Sequence, residues 1–157
     1  MKLKKGDRLP DAKVFILDKD PKEISVTQII GEEKIILFGL PGAFTPTCSE
    51  KHLPGFIDLS EKIKEKGIKK VICVSVNDPY VMDAWGKSQN LKDQIILLSD
   101  VKAEFTKKIG ADFNWRDWAL RSERYTMLVE NKIVKKLVVE TGKCELTAAE
   151  NFLKEIN

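Results

Sequence analysis

The chain has 157 residues, 43% hydrophobic and 32% charged, and reads as one domain spanning 1–157 with a full-sized core. Its formal net charge of +3, carried by dispersed lysines, is too mild for a nucleic-acid or membrane-surface partner. One histidine and three cysteines (Cys48, Cys73, Cys144), with no Cys-x-x-Cys pair, fit neither a disulfide scaffold nor a zinc centre. The opening Met-Lys-Leu-Lys-Lys-Gly-Asp lacks a signal peptide's apolar core, and no apolar run reaches the ~20 residues of a membrane span. The expected setting is therefore a soluble, reducing, cytoplasmic one.

In chain order, 12–17 reads as a short strand closed by Asp18-Lys19-Asp20-Pro21, and Ser25 with Gln28 as a capping box opening a short helix that stops at Gly31. Lys34–Gly39 is a continuous apolar run, the mark of a strand buried on both faces. A Pro/Gly-rich loop follows, then a helix over about 47–66, with Pro54 inside it to kink it. Residues 70–76 form the next buried strand. Asn77-Asp78-Pro79 caps a helix running to about Gln89, 95–98 is a third short strand, and Asp100 caps a helix ending at Ile109-Gly110.

Residues 111–123 show no clear period, although Phe113, Trp115 and Trp118 are too apolar to lie free in solvent. Tyr125–Glu130 and Ile133–Val139 predict a hairpin, and Thr147 with Glu150 a capping box on a last helix whose apolar face is Phe152, Leu153 and Ile156. The order β-α-β-α-β-α-β-β-α implies an α/β protein with a mixed, mostly parallel sheet covered by helices on both faces, in the thioredoxin-like pattern.

The chemistry concentrates in Gly39-Leu40-Pro41-Gly42-Ala43-Phe44-Thr45-Pro46-Thr47-Cys48-Ser49-Glu50. Either Thr45 caps the helix with Pro46 in its first position, or Thr47 caps it with Glu50 closing a box. Both registers set Cys48 beside free N–H groups at the positive end of a helix dipole, which favours the nucleophilic thiolate. This places a first-turn cysteine at the carboxyl edge of a central strand, where open α/β sheets carry out their chemistry. Arginine is scarce, four against twenty-three lysines, and three of the four are Arg116, Arg121 and Arg124.

The segment from Pro41 to Ser49, with His52-Leu53-Pro54-Gly55-Phe56, Val74-Ser75-Val76-Asn77-Asp78-Pro79, Trp85-Gly86 and Arg124-Tyr125-Thr126-Met127, resembles the peroxiredoxins, most closely the atypical type II group that includes peroxiredoxin five. The resemblance implies a thiol peroxidase acting on hydrogen peroxide and alkyl hydroperoxides. Cys48 would be the peroxidatic cysteine, Thr45 the hydroxyl contacting the peroxide, Pro41 a shield and Arg124 the guanidinium, with Arg121 the fallback. It implies no cofactor, and the sequence carries no metal, flavin or nicotinamide signature. It also implies a thiol reductant (glutathione/glutaredoxin or thioredoxin) and a homodimer, with Phe44 and the 77–82 loop near the contact.

Type II plant relatives place a second redox cysteine at the spacing of Cys73, and animal peroxiredoxin five places its resolving cysteine before the last helix, as Cys144 is. By its own sequence Cys73 reads as an inert core residue, and an external thiol remains an alternative. His52, one turn after Cys48, reads as a residue packed near the site, outside the core catalytic set; Trp85 and Phe44 read as core or interface. The rival functions are a disulfide reductase, disfavoured without a Cys-x-x-Cys pair, and a redox sensor or holdase with slow turnover.

Overall fold

Two apolar runs, β3 (Lys34–Gly39) and β4 (Lys70–Ser75), lie side by side and parallel at the centre of a seven-stranded sheet. The computed structural model describes residues 1–156. Before β3 come β1 (Lys13–Asp18), β2 (Asp20–Ser25) and α1 (Val26–Ile30); between β3 and β4 come a π-helical turn (Cys48–His52), α2 (Leu53–Asp58) and α3 (Ser60–Glu65). After β4 follow α4 (Pro79–Ser88), β5 (Ile96–Ser99), α5 (Glu104–Lys108), β6 (Asp112–Trp115), β7 (Ala119–Ser122), β8 (Arg124–Glu130), β9 (Ile133–Glu140) and α6 (Ala149–Lys154). The sheet order is β2-β1-β5-β4-β3-β8-β9, with β6-β7 a separate two-stranded ribbon.

The sheet is mixed, as expected, with helices on both faces. Its parallel pairs are only the central β3·β4 and β4·β5, whereas β1·β2, β1·β5, β3·β8 and β8·β9 are antiparallel. The expectation of a mostly parallel sheet is corrected on this point. It overlooked β2, a second strand formed where Lys19 turns at φ 66. Pro21 is tolerated in β2 because that strand is an edge and needs no N–H there.

Successive side chains alternate between two cores. Ile36, Phe38 and Cys73 face Phe56, Met82, Trp85, Phe152 and Leu153 from the helices of one side. Ile35, Leu37, Ile72 and Val74 face Val26, Ile30, Phe105 and Ile109 on the other. Gly39 is obligatory: an ideal Cβ there would lie 2.3 Å from the ring of Tyr125, its partner across β3·β8. That close approach lets Tyr125 pack into the second core while its neighbours Arg124 and Thr126 point to the opposite face.

Several sequence expectations shift in detail. The helix over 47–66 is broken: Pro54 has no N–H for the Glu50 carbonyl and crowds it. The chain widens by one residue, the Leu53 N–H reaching the Cys48 carbonyl, and breaks again at Leu59. Asp78 caps α4 through Val81 N at 2.9 Å, as its Asp-Pro signal predicts. Asp100 accepts from Phe105 N and Thr106 N, but α5 starts only at Glu104. Residues 111–123, whose sequence shows no clear period, form the ribbon around Arg116 and Asp117, both at positive φ. Trp118, expected to be covered, is 64% exposed and stacks on Trp115 with centroids 5.5 Å apart. Among the described residues no helix is long and apolar enough to cross a membrane.

Candidate active site

The loop after β3 and the start of β8 converge on one sulfur. Arg124 Nη2 donates to Cys48 Sγ at 3.2 Å, and its Nη1 donates to His52 Nδ1 at 2.8 Å. β8 brings Arg124 there because it pairs with β3, whose carboxyl end feeds the loop. Above this contact lies a largely apolar cleft of about 480 Å³, lined by Pro41, Thr45, Phe113, Trp115, Arg124 and Glu140 among others. The structure therefore brings together all four residues singled out in the sequence: Pro41, Thr45 and Arg124 line the cleft, and Cys48 lies against the guanidinium.

The differences are informative. Cys48, expected to be open to small oxidants, is 0% exposed and is not among the residues lining the cleft, which its neighbour Arg124 reaches. The helix opens at Pro46 with Thr45 before it, the Ser49 N–H reaching the Thr45 carbonyl at 3.0 Å, but neither threonine hydroxyl caps it. Thr45 Oγ donates to the Gly42 carbonyl at 2.7 Å, and Thr47 makes no side-chain cap bond. Because its proton is committed to Gly42, the Thr45 hydroxyl offers the cleft lone pairs rather than a donor. Arg121 is not an alternative to Arg124: it donates to the Val76 carbonyl at 2.9 Å and braces the adjoining loop. Asn77 completes that brace, its Oδ1 accepting from Ala43 N at 3.0 Å and Ser75 Oγ at 2.6 Å. Trp85 is core, its indole donating to Ser49 Oγ at 2.9 Å, whereas Phe44 is 56% exposed at φ 64.

His52 is closer to the centre than its sequence position implies. A guanidinium only donates, so His52 Nδ1 must accept from Arg124 and the ring proton sits on Nε2. Nε2 then donates to Thr126 Oγ at 3.2 Å, and Thr126 passes its own proton to the Thr147 carbonyl at 2.7 Å. Burial, then the Arg124 charge, holds His52 well below the usual imidazole range, in agreement with this neutral ring. Burial pushes the Cys73 thiol well up, with a further rise from Cys48, and pushes Cys144 up as well. All three cysteines are free. No group of three metal-ligating side chains occurs among the described residues.

The histidine sets an acid limit on stability. Unfolded, it takes up a proton near pH 6.5; folded, it stays neutral well below that. The unfolded state therefore binds more protons, and stability falls as pH drops below 6.5. Between pH 7.5 and 5.5 this one group should remove on the order of 1 kcal/mol. It is the only histidine in the chain, so urea unfolding of the parent and of His52→Gln at both pH values isolates it. An equal loss in both proteins would refute the assignment.

Comparisons with known proteins identify the family. The Redoxin family pattern matches residues 4–153. Peroxiredoxin-2E, chloroplastic, of Arabidopsis thaliana is 42% identical over 96% of this chain and 68% of its own length. Peroxiredoxin-2D of the same plant is 40% identical over 96% of both chains. The crystal structure of reduced Prx3 from Vibrio vulnificus in complex with H2O2 superposes with a TM-score of 0.93 at 40% identity, covering 99% of each chain. With the pattern spanning nearly the whole sequence and the relatives matching 96% of it at 40% identity or more, the chain belongs to the redoxin family and, within it, to the peroxiredoxins.

Proposed function

We propose that this thiol-dependent peroxidase works through Cys48, with Arg124, Thr45 and Pro41 forming its peroxide site. The observation that carries this reading is the 3.2 Å contact of Cys48 Sγ with Nη2 of Arg124, a residue that itself lines a cleft with Thr45 and Pro41. The Cys48 thiolate attacks the terminal oxygen of a hydroperoxide. The O–O bond breaks, an S–O bond forms, and the departing alkoxide or hydroxide takes a proton to leave as alcohol or water. Cys48 is left as a sulfenic acid.

Arg124 donates to the sulfur and, as the peroxide enters, to the oxygen on which charge develops. Thr45, with its proton on Gly42, accepts the peroxide O–H and so aligns it. Pro41 keeps water off one wall. The apolar lining from Phe113 and Trp115 accommodates the carbon chain of an alkyl hydroperoxide as well as hydrogen peroxide.

A thiol then condenses with the sulfenic acid, releasing water and forming a disulfide, and a second thiol reduces that disulfide. Of the chain's own sulfurs, Cys144 is the one able to travel. It lies in the turn between β9 and α6, whereas Cys73 is held mid-strand between two paired neighbours. Glutathione with glutaredoxin, or thioredoxin, is the external reductant, and three unpaired thiols suit a reducing cytoplasm. The subunits pair as a homodimer through apolar surface that includes Phe44 and Tyr80, both more than half exposed.

The test is mass spectrometry of the non-reduced protein after one equivalent of peroxide, alongside turnover with a thiol donor. Oxidation is expected on Cys48 alone, followed by a Cys48–Cys144 linkage or an external thiol adduct and by repeated turnover. A single oxidation without a second turnover under every donor would favour the sensor reading instead. Oxidation elsewhere, with Cys48 intact, would end the proposal.

A further inference from the structure

Glu140 is a buried acid to which neither the sequence nor the reaction assigns a part. It ends β9 directly across from Arg124 on β8 and lines the same cleft. Its carboxylate does not bind the active-site groups directly. It accepts from Thr147 N at 2.6 Å, Thr147 Oγ at 2.6 Å and Glu145 N at 3.0 Å. Burial raises this acid, but the bonds from Thr147 and Glu145 outweigh burial and leave it below the usual range, so the site holds a carboxylate.

Those donors fix the turn from 141 to 147, and the turn ends on the carbonyl that receives the Thr126 proton. The chain of contacts runs Glu140–Thr147–Thr126–His52–Arg124–Cys48 with no gap, the longest polar step being 3.2 Å. Each member beyond Arg124 has one possible direction of donation. If the Thr147 carbonyl moves, Thr126 is free to turn its hydroxyl and donate to His52 Nε2, which opposes the Nε2–H tautomer that the Arg124 contact requires and weakens that contact.

We infer that Glu140 is a positioning residue for the peroxidase reaction: by anchoring Thr147 it fixes the His52 tautomer and so aims the Arg124 fork at Cys48. The inference rests on the reading of Cys48 and Arg124 given above. It also gives the turn that bears Cys144 a mechanical link to the arginine, since that turn and the Thr147 anchor are the same segment.

Glu140→Gln is the test, because it keeps shape and volume while removing the charge from the one oxygen that accepts from Thr147 N, Thr147 Oγ and Glu145 N, leaving weaker neutral bonds in their place. The second-order rate of Cys48 oxidation by hydrogen peroxide, followed by stopped flow, is expected to fall about tenfold. The single histidine supplies a readout that general loosening would not move. The imidazole 15N pattern of Glu140→Gln should change from one fixed Nε2–H tautomer to an averaged pair, while circular dichroism stays that of the parent. Added to Thr126→Val, which cuts the relay below His52, Glu140→Gln should bring no further loss. Should Glu140→Gln not fold, Thr147→Val removes one arm of the anchor and should act in the same direction, with Thr147→Ser restoring the rate.

An unchanged peroxide rate, an unchanged His52 pattern, or a loss that adds fully to that of Thr126→Val would overturn the inference. The 15N readout does not depend on peroxide chemistry. A parent protein in which Cys48 does not react would therefore end the functional reading while still leaving the relay tested on its own.

Discussion

Cys48→Ser is expected to fold like the parent and to consume no hydroperoxide. The substitution exchanges a buried sulfur for a slightly smaller oxygen in a pocket that already supplies a donor, the Arg124 Nη2 group. Packing around Leu53, Phe56 and Trp85 in the same core is largely preserved. What disappears is the sulfur nucleophile, and a serine hydroxyl in its place is a far poorer one. No other residue can substitute. Burial holds Cys73 and Cys144 as thiols, and neither sulfur is in hydrogen-bond contact with the guanidinium. Peroxide loss measured with excess dithiothreitol, beside circular dichroism, decides the point. Substantial turnover in a folded Cys48→Ser protein would move the chemistry to another residue.

Arg124→Gln carries the second largest expected effect, a loss of about 10²–10³ in the rate of peroxide reduction. The guanidinium serves two partners at fixed angles, Cys48 and His52, and a carboxamide can serve only one of them while lacking the charge. Arg124→Lys keeps the charge but loses the fork, so it should recover only part of the deficit. Stopped-flow oxidation of each variant by hydrogen peroxide gives the comparison. Equal rates for parent and Arg124→Gln would mean that the arginine only fills space.

The parts of the site that were legible in the sequence are those written in short segments. Lys34–Gly39 and Lys70–Ser75 are unbroken apolar runs, and the Pro/Gly loop with its first-turn cysteine stands directly after the first of them. The fold's centre and the identity of the reactive loop follow from those segments and from the family resemblance. Signals that compete locally were misread. Thr45 and Thr47 both look like caps, yet Thr45 bonds backward to Gly42. Thr147 with Glu150 looks like a capping box, yet the Thr147 hydroxyl turns to Glu140. Short polar side chains bind whichever acceptor the tertiary fold brings near.

What the sequence could not reveal is made by distant pairs. His52 meets Thr126 and Arg124 across more than seventy residues, and no spacing rule announces such a meeting. Its one-turn offset from Cys48 was the available signal, but it gave proximity without a partner. The β6–β7 ribbon was missed because Arg-Asp carries no glycine or asparagine to mark its tight turn.

The widened turn at 48–52 has a further meaning for how the nucleophile is aimed. A regular α-helix advances about 100° per residue, so accommodating one additional residue rotates everything upstream by roughly that step relative to everything downstream. The heading of the Cys48 sulfur is thus encoded six positions away, by the amide hydrogen that Pro54 does not have. In this protein the bearing of a reactive atom is a matter of residue count as much as of chemical kind.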